Sequence, residues 1–180
     1  MGIQFRLSPK LFRDLQKEIA QDTAVEQGCF LLCSEAKTHS NHILIAKRLL
    51  PLQENDFKVQ KRDLLSVSPS TMLRVSRMAQ ADNSGICFIH THPMSFGTVG
   101  FSMADDYGNV RTFDFLNRMV PGKANSALVF SGDMKAVSGR LYHTANSWKH
   151  IESVSVAGSP SKILTMNNDS IKEETRNVNF

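Results

Sequence analysis

A chain of 180 residues with 41% apolar and 21% charged side chains has the size and composition of one soluble globular domain with a sizeable core. The net charge of +4 arises from 21 basic residues scattered among 17 acidic ones, so there is no massed basic block of the kind nucleic-acid binding favours. No apolar run reaches the ~18 residues needed to span a bilayer, and the first residues lack the apolar core of a secretory signal; the expectation is a soluble, cytoplasmic protein with no membrane contact.

Residues 3–7 alternate apolar and polar, as a short strand does. Ser8 and Pro9 then supply an N-cap and a first helical residue, and Leu11, Phe12, Leu15 and Ile19 give the following helix its buried stripe. Residues 26–33 and 42–50 read as neighbouring strands joined by a polar hairpin loop. The segment FKVQ, residues 57–60, reads as an edge strand. Ser68 and Pro69 repeat the cap signal ahead of Met72, Val75 and Met78 at helical spacing. Residues 85–92, GICFIHTH, begin as a near-continuous apolar run, the pattern of a central strand buried on both faces. A third helix is expected over residues 103–118, and SALVFSGD with KAVSGRLYH forms a closing hairpin about Gly132 and Asp133.

These elements predict an α/β domain over residues 1–156, a mixed β-sheet flanked by helices. Residues 157–180 are rich in small and polar side chains and read as a terminal helix, a linker or a tail. Cys29, Cys33 and Cys87 lie in apolar runs without a CxxC pair, as buried free thiols of a reducing compartment do. His39 and His42 flank the predicted loop and are expected to face solvent, while His143 and His150 are expected to be structural or exposed. Dinucleotide and P-loop motifs are absent from the sequence, and no third group orients a Ser–His pair.

The chemistry concentrates in residues 89–106, IHTHPMSFGTVGFSMADD. His90 and His92 are two apart on a predicted strand and so project from the same face. They stand at its carboxyl end, where polar residues of an α/β sheet commonly line a site. Two imidazoles so spaced can chelate one zinc ion, which in catalytic sites takes three protein ligands. Asp105, arriving at the start of the next helix, is the candidate third ligand. Ser102 and Asp105 equally fit a capping box, with serine at the N-cap and an acid at N3. The readings are compatible, since a capped helix start would hold Asp105 in one place beside the histidines. Asp106 is a rival ligand, but helical neighbours point ~100° apart, and only one of the pair can face the histidines.

Glu26 in VEQGCFLLC, HTHP at residues 90–93 and SMAD at residues 102–105 together resemble the signature of the JAB/MPN (JAMM) zinc metalloprotease family, in a small prokaryotic-type member. That signature is an upstream Glu, then His-Ser/Thr-His-Pro, a short loop and Ser-x-x-Asp. The resemblance covers residues 5–143, the closing strands included. One departure is the loop of eight residues, Met94 to Phe101, which is longer than the family usually has. Gly97 and Gly100 lie within it and can absorb the extra length. Ser95 cannot replace Ser102, because Thr98 stands where the aspartate should be.

The resemblance implies a cytidine-deaminase-like α/β fold and zinc held by His90, His92 and Asp105. Zinc in such a site acidifies water towards a pKa of ~7. Glu26 would accept that proton and pass it to the departing amine, while the Ser102 hydroxyl would donate to the oxyanion. The implied activity is hydrolysis of peptide or isopeptide bonds at the C-terminus of ubiquitin-like proteins, in the manner of a deubiquitinase. The implied partners are those proteins or their conjugates, with ubiquitin-activating-like and conjugating-like enzymes. Two alternatives stay open. One is a catalytically inactive MPN-type interaction module, against which the presence of all five motif residues argues. The other is a JAB peptidase acting on non-ubiquitin-like peptides, whose metal chemistry is the same.

Overall fold

Each serine cap signal starts a helix. In the computed structural model, which describes residues 2–20, 24–144, 146–158 and 162–166, strand β1 (Gly2–Leu7) leads into helix α1 (Pro9–Ile19). Ser8 Oγ accepts a hydrogen bond from the Leu11 amide, satisfying one of the donors that a helix start leaves open. Phe12, Leu15 and Ile19 form the buried side of α1, with Leu11 partly buried beside them.

Strands β2 (Gly28–Lys37) and β3 (Asn41–Leu50) form the expected hairpin, but they run on through most of the polar segment. Ladder hydrogen bonds use backbone groups, so polar side chains at an exposed end do not stop the pairing. This corrects the sequence reading of His42. Rather than facing solvent, His42 lies within β3, is buried, and has Nε2 2.7 Å from Glu35 Oε2 across the hairpin.

Strand β4 (Phe57–Gln60) pairs with β5 (Leu65–Val67) as a small separate ribbon. Helix α2 (Pro69–Ala81) follows its Ser68 cap, and β6 (Gly85–His92) passes into the loop that precedes helix α3 (Met103–Met119). Strands β7 (Asn125–Ser131) and β8 (Ala136–Thr144) make the closing hairpin. Beyond it come β9 (Ser147–His150), β10 (Ser153–Val156), β11 (Lys162–Ile163) and β12 (Thr165–Met166). Within the segment read as a linker or tail, β11 and β12 therefore join the sheet, while residues 159–161 and 167–180 lie outside the described residues.

The main sheet runs β11-β10-β1-β3-β2-β6-β7-β8-β12, with β9 on β8. Its directions are mixed: β6 is antiparallel to β2 and parallel to β7. Strands β10 and β12, from opposite ends of that order, approach one another, so the sheet curls. One face packs on α1, the other on α2 and α3. The period-2 alternation of β6 serves both, with Cys87 and Ile89 on the α1 side and Ile86 and Phe88 on the other. Cys29 and Cys33 share the α1 side, and all three cysteines are buried free thiols. Burial pushes the Cys87 thiol up to about 12, which makes it a packing residue rather than a nucleophile. Among the described residues, no helix is long and apolar enough to cross a membrane.

Candidate metal centre

The alternation that buries Phe88 against α2 and α3 also fixes where the histidines point. His90 and His92 follow Phe88 in register, and the His90 ring stacks on the Phe88 ring at 5.6 Å between centroids. Glu26 reaches the same face from the neighbouring strand, because Gly28 pairs with His90 and Glu26 lies two residues before Gly28. Its position is tied twice. Thr91 N donates to Gln27 O at 3.0 Å, and Gln27 N donates to Thr91 Oγ1 at 3.0 Å.

Asp105 arrives from the third element. The Ser102 capping box is formed as the sequence predicts: Asp105 N donates to Ser102 Oγ at 3.1 Å, and Ser102 N donates to Asp105 Oδ2 at 2.7 Å. The connecting loop is tied to the sheet, with Ser95 N donating to His92 O and Gly132 N donating to Ser95 O. Gly97 takes a left-handed φ of 70°, at which other residues are strained. Gly132 is required for a different reason: a Cβ there would collide with the Pro93 carbonyl. The loop then turns inward, burying Val99 and seating Phe101 against Val129 and Ala136.

These elements bring the five predicted side chains together, four of them as two imidazoles and two carboxyls. His90 Nε2 lies 3.0 Å from Asp105 Oδ1, and His92 Nε2 lies 3.1 Å from Asp105 Oδ2 and 3.6 Å from Glu26 Oε1. The fifth, Ser102, donates its hydroxyl proton to Asp105 Oδ2 at 2.8 Å. Asp106, the rival ligand, points away and pairs with Arg140 instead. His90, His92 and Asp105 each offer a ligand atom, all within 4.8 Å of one another, so the group can hold a metal ion. The burial of His90 tests that fit. Both of its ring nitrogens are buried without a hydrogen-bond partner among the described residues, although Nε2 is close to Asp105 Oδ1. The pair is near but not aligned as donor and acceptor, which is the arrangement of two ligands facing a common point. An orphaned buried nitrogen is costly unless something else binds it.

The electrostatics agree. Burial works against the Asp105 charge, yet the two imidazoles and the Ser102 amide outweigh it and hold the carboxyl far below the ordinary range. Burial likewise opposes charge on His92, but the Asp105 and Glu26 carboxylates win and raise its pKa. For Glu26 burial dominates: it pushes the carboxyl up to about 8, with the His92 charge pulling down and the Asp105 and Asp63 charges pushing up. The site therefore joins an ionised carboxylate and two imidazoles to a second carboxyl that exchanges its proton near neutrality.

Sequence reasoning placed these five residues but passed over Arg140. Its guanidinium carbon lies 4.2 Å from the Phe101 ring centroid and 4.1 Å from that of Trp148, and it pairs with Asp106. The available signal was a charged residue in the middle of the apolar strand AVSGRLYH, which needs a partner once buried.

Comparison of the chain with protein-family models and with curated proteins returned no match. Among solved structures it is similar to the solution structure of protein DSY2949 from Desulfitobacterium hafniense. That likeness has a TM-score of 0.55 and 15% identity, over 85% of this chain and 92% of the other. At such identity the likeness is one of fold: a mixed α/β architecture with a curled sheet.

Proposed function

We propose that the protein is a zinc-dependent hydrolase of peptide or isopeptide bonds with the JAB/MPN fold and mechanism. The observation that carries this reading is the convergence of His90, His92 and Asp105 with the buried Glu26 carboxyl 3.6 Å from His92. Two histidines and a carboxylate suit zinc. They also suit iron(II), but a further carboxyl, Glu26, standing beside the ligands within reach of a bound water favours hydrolysis. When bound, the ion supplies Lewis acidity, lowering the pKa of water and polarising a carbonyl. Glu26 Oε1 accepts the proton of the attacking water and returns it to the leaving amine. In that state the ion's charge offsets the burial of Glu26 and favours its ionised form, as a base requires. Ser102 Oγ already accepts from the Asp105 amide, so its proton can turn from Asp105 Oδ2 to an oxyanion without loss of the helix cap.

The substrate class that fits the resemblance is the C-terminus of a ubiquitin-like protein or its conjugates. Cleavage assays on ubiquitin-like fusions from the same genome test this directly, with Glu26→Gln as control. Wild-type protein is expected to cleave, and Glu26→Gln to keep its zinc and lose about 100-fold or more in rate. Normal cleavage by Glu26→Gln would remove the proposed base. Cleavage only of unrelated peptides would move the protein to the non-ubiquitin-like JAB peptidases. Stoichiometric zinc with no hydrolysis of either class would leave the interaction module.

A further inference from the structure

The first turn of α3 carries Asp105 and the cap Ser102, yet most of it has no core contact. Met103 and Tyr107 are 75% and 70% exposed. The helix is packed firmly further along, where the Phe113 ring stacks on Tyr142 and Leu116 is buried. The chain between His92 and Ser102 is a loop with a glycine turn. The loop's own ties to the sheet end at Phe101, so a contact beyond them would register the start of the helix against β6, where ångström-scale drift would separate Asp105 from the histidines.

We propose that Arg140 is the positioning residue for this site, and the inference rests on the metal reading above. Its guanidinium touches the two residues that bracket the cap and the ligand. It covers the Phe101 ring immediately before Ser102, and it pairs with the Asp106 carboxylate immediately after Asp105. Trp148 on β9 closes its other face, and only 10% of the Arg140 side chain is exposed. The base of this clamp lies within the sheet. Arg140 pairs with Ala127, which pairs with Phe88, so its backbone sits two ladder rows from the His90–Val129 pair and on the same face of the sheet. A planar, always-charged fork stacks flat on a ring while it pairs; lysine, a compact point charge, lacks that plane. The contacts of Arg140 are with Asp106, Phe101 and Trp148, so its effect passes through Asp106 and Phe101 to Asp105 and Ser102.

The test is zinc affinity, measured by competition with a chromophoric chelator, alongside the thermal midpoint of the metal-free protein. Arg140→Gln is expected to lose about 10–100-fold in affinity, the usual effect of removing a residue that orients a ligand. Arg140→Lys is expected to recover part of that loss through the ion pair. Asp106→Asn, which keeps an acceptor and leaves the cap intact, is expected to weaken affinity less, and the double variant to be no worse than Arg140→Gln. Leu116→Ala, at the far end of α3, is expected to lower the thermal midpoint without weakening zinc. A folded Arg140→Gln with wild-type affinity overturns the proposal, as does an affinity loss in Leu116→Ala that tracks stability in the same way. Should Arg140→Gln fail to fold, Asp106→Asn decides: wild-type affinity there overturns the clamp. Wild-type protein that binds no zinc overturns the metal reading and this inference with it.

Discussion

Helices α2 and α3 both begin at a serine N-cap, and beside each stand a carboxylate and an arginine. At α2, Ser68 Oγ accepts from the Thr71 amide, and Asp56 takes donors from the Gln53 amide, the Thr71 hydroxyl and Arg74. Both carboxylate oxygens are occupied by donors of the chain itself, and the cluster is closed. At α3 the cap carboxylate faces two imidazoles, and among the described residues His90 finds no hydrogen-bond partner for its two buried nitrogens. A self-satisfied polar cluster holds a helix in place, whereas one with unpartnered atoms beside a carboxylate keeps the capacity to take a ligand.

The largest expected break in that contrast is in metal loading. His92→Ala or Asp105→Ala should lower zinc affinity by more than ~100-fold, beyond the usual effect of an outer residue. Asp56→Ala and Ser68→Ala should leave it unchanged, and metal content after dialysis checks all four. A smaller but diagnostic effect concerns Glu26 in the chelator-treated protein. Its carboxyl ionises near pH 4.5 in the unfolded chain and about 8 in the folded one, so stability should fall as pH rises between those values. Glu26→Gln removes that loss and should be more stable at pH 8 by about 2–4 kcal/mol, with little difference at pH 4. Urea unfolding at the two pH values measures it, and parallel profiles for the two proteins would refute the burial argument.

The smallest effects belong to α2. Burial opposes the Asp56 charge, but its amide, hydroxyl and guanidinium donors outweigh that and hold its pKa low. Asp56→Ala should therefore cost about 1–3 kcal/mol at neutral pH. That contribution is present above the ordinary carboxylate pKa and lost as pH falls through the depressed value. Ser68→Ala should cost about 1 kcal/mol.

Local sequence carried the helix starts, the central strand and the spacing of His90, His92 and Asp105, because caps, periodicity and ligand spacing are short-range signals. Glu26, by contrast, was singled out only through the family resemblance. Ser8, Ser68 and Ser102 cap helices as their neighbours indicated, and β6 is buried on both faces. Long-range pairing was not legible. SWKH and SVSV are too short to announce themselves, and they become strands because β8 and β1 offer open edges. His42 went unread for a related reason: its burial depends on Glu35 and on a hairpin longer than its apolar residues suggested. The clamp on α3 joins residues 34 apart, and nothing near Asp106 in the chain reveals Arg140.

The capping box has a consequence for how the site fills. Asp105 Oδ2 is tied to the Ser102 amide, while Oδ1 is turned towards His90. The carboxylate is consequently immobilised when α3 forms, and the entropy of fixing it is lost in folding rather than in ion capture. On the proposed metal reading, loading and unloading would then proceed on a standing scaffold, with no coupled helix-coil transition. Chelation should strip the ion and leave the helix where it was.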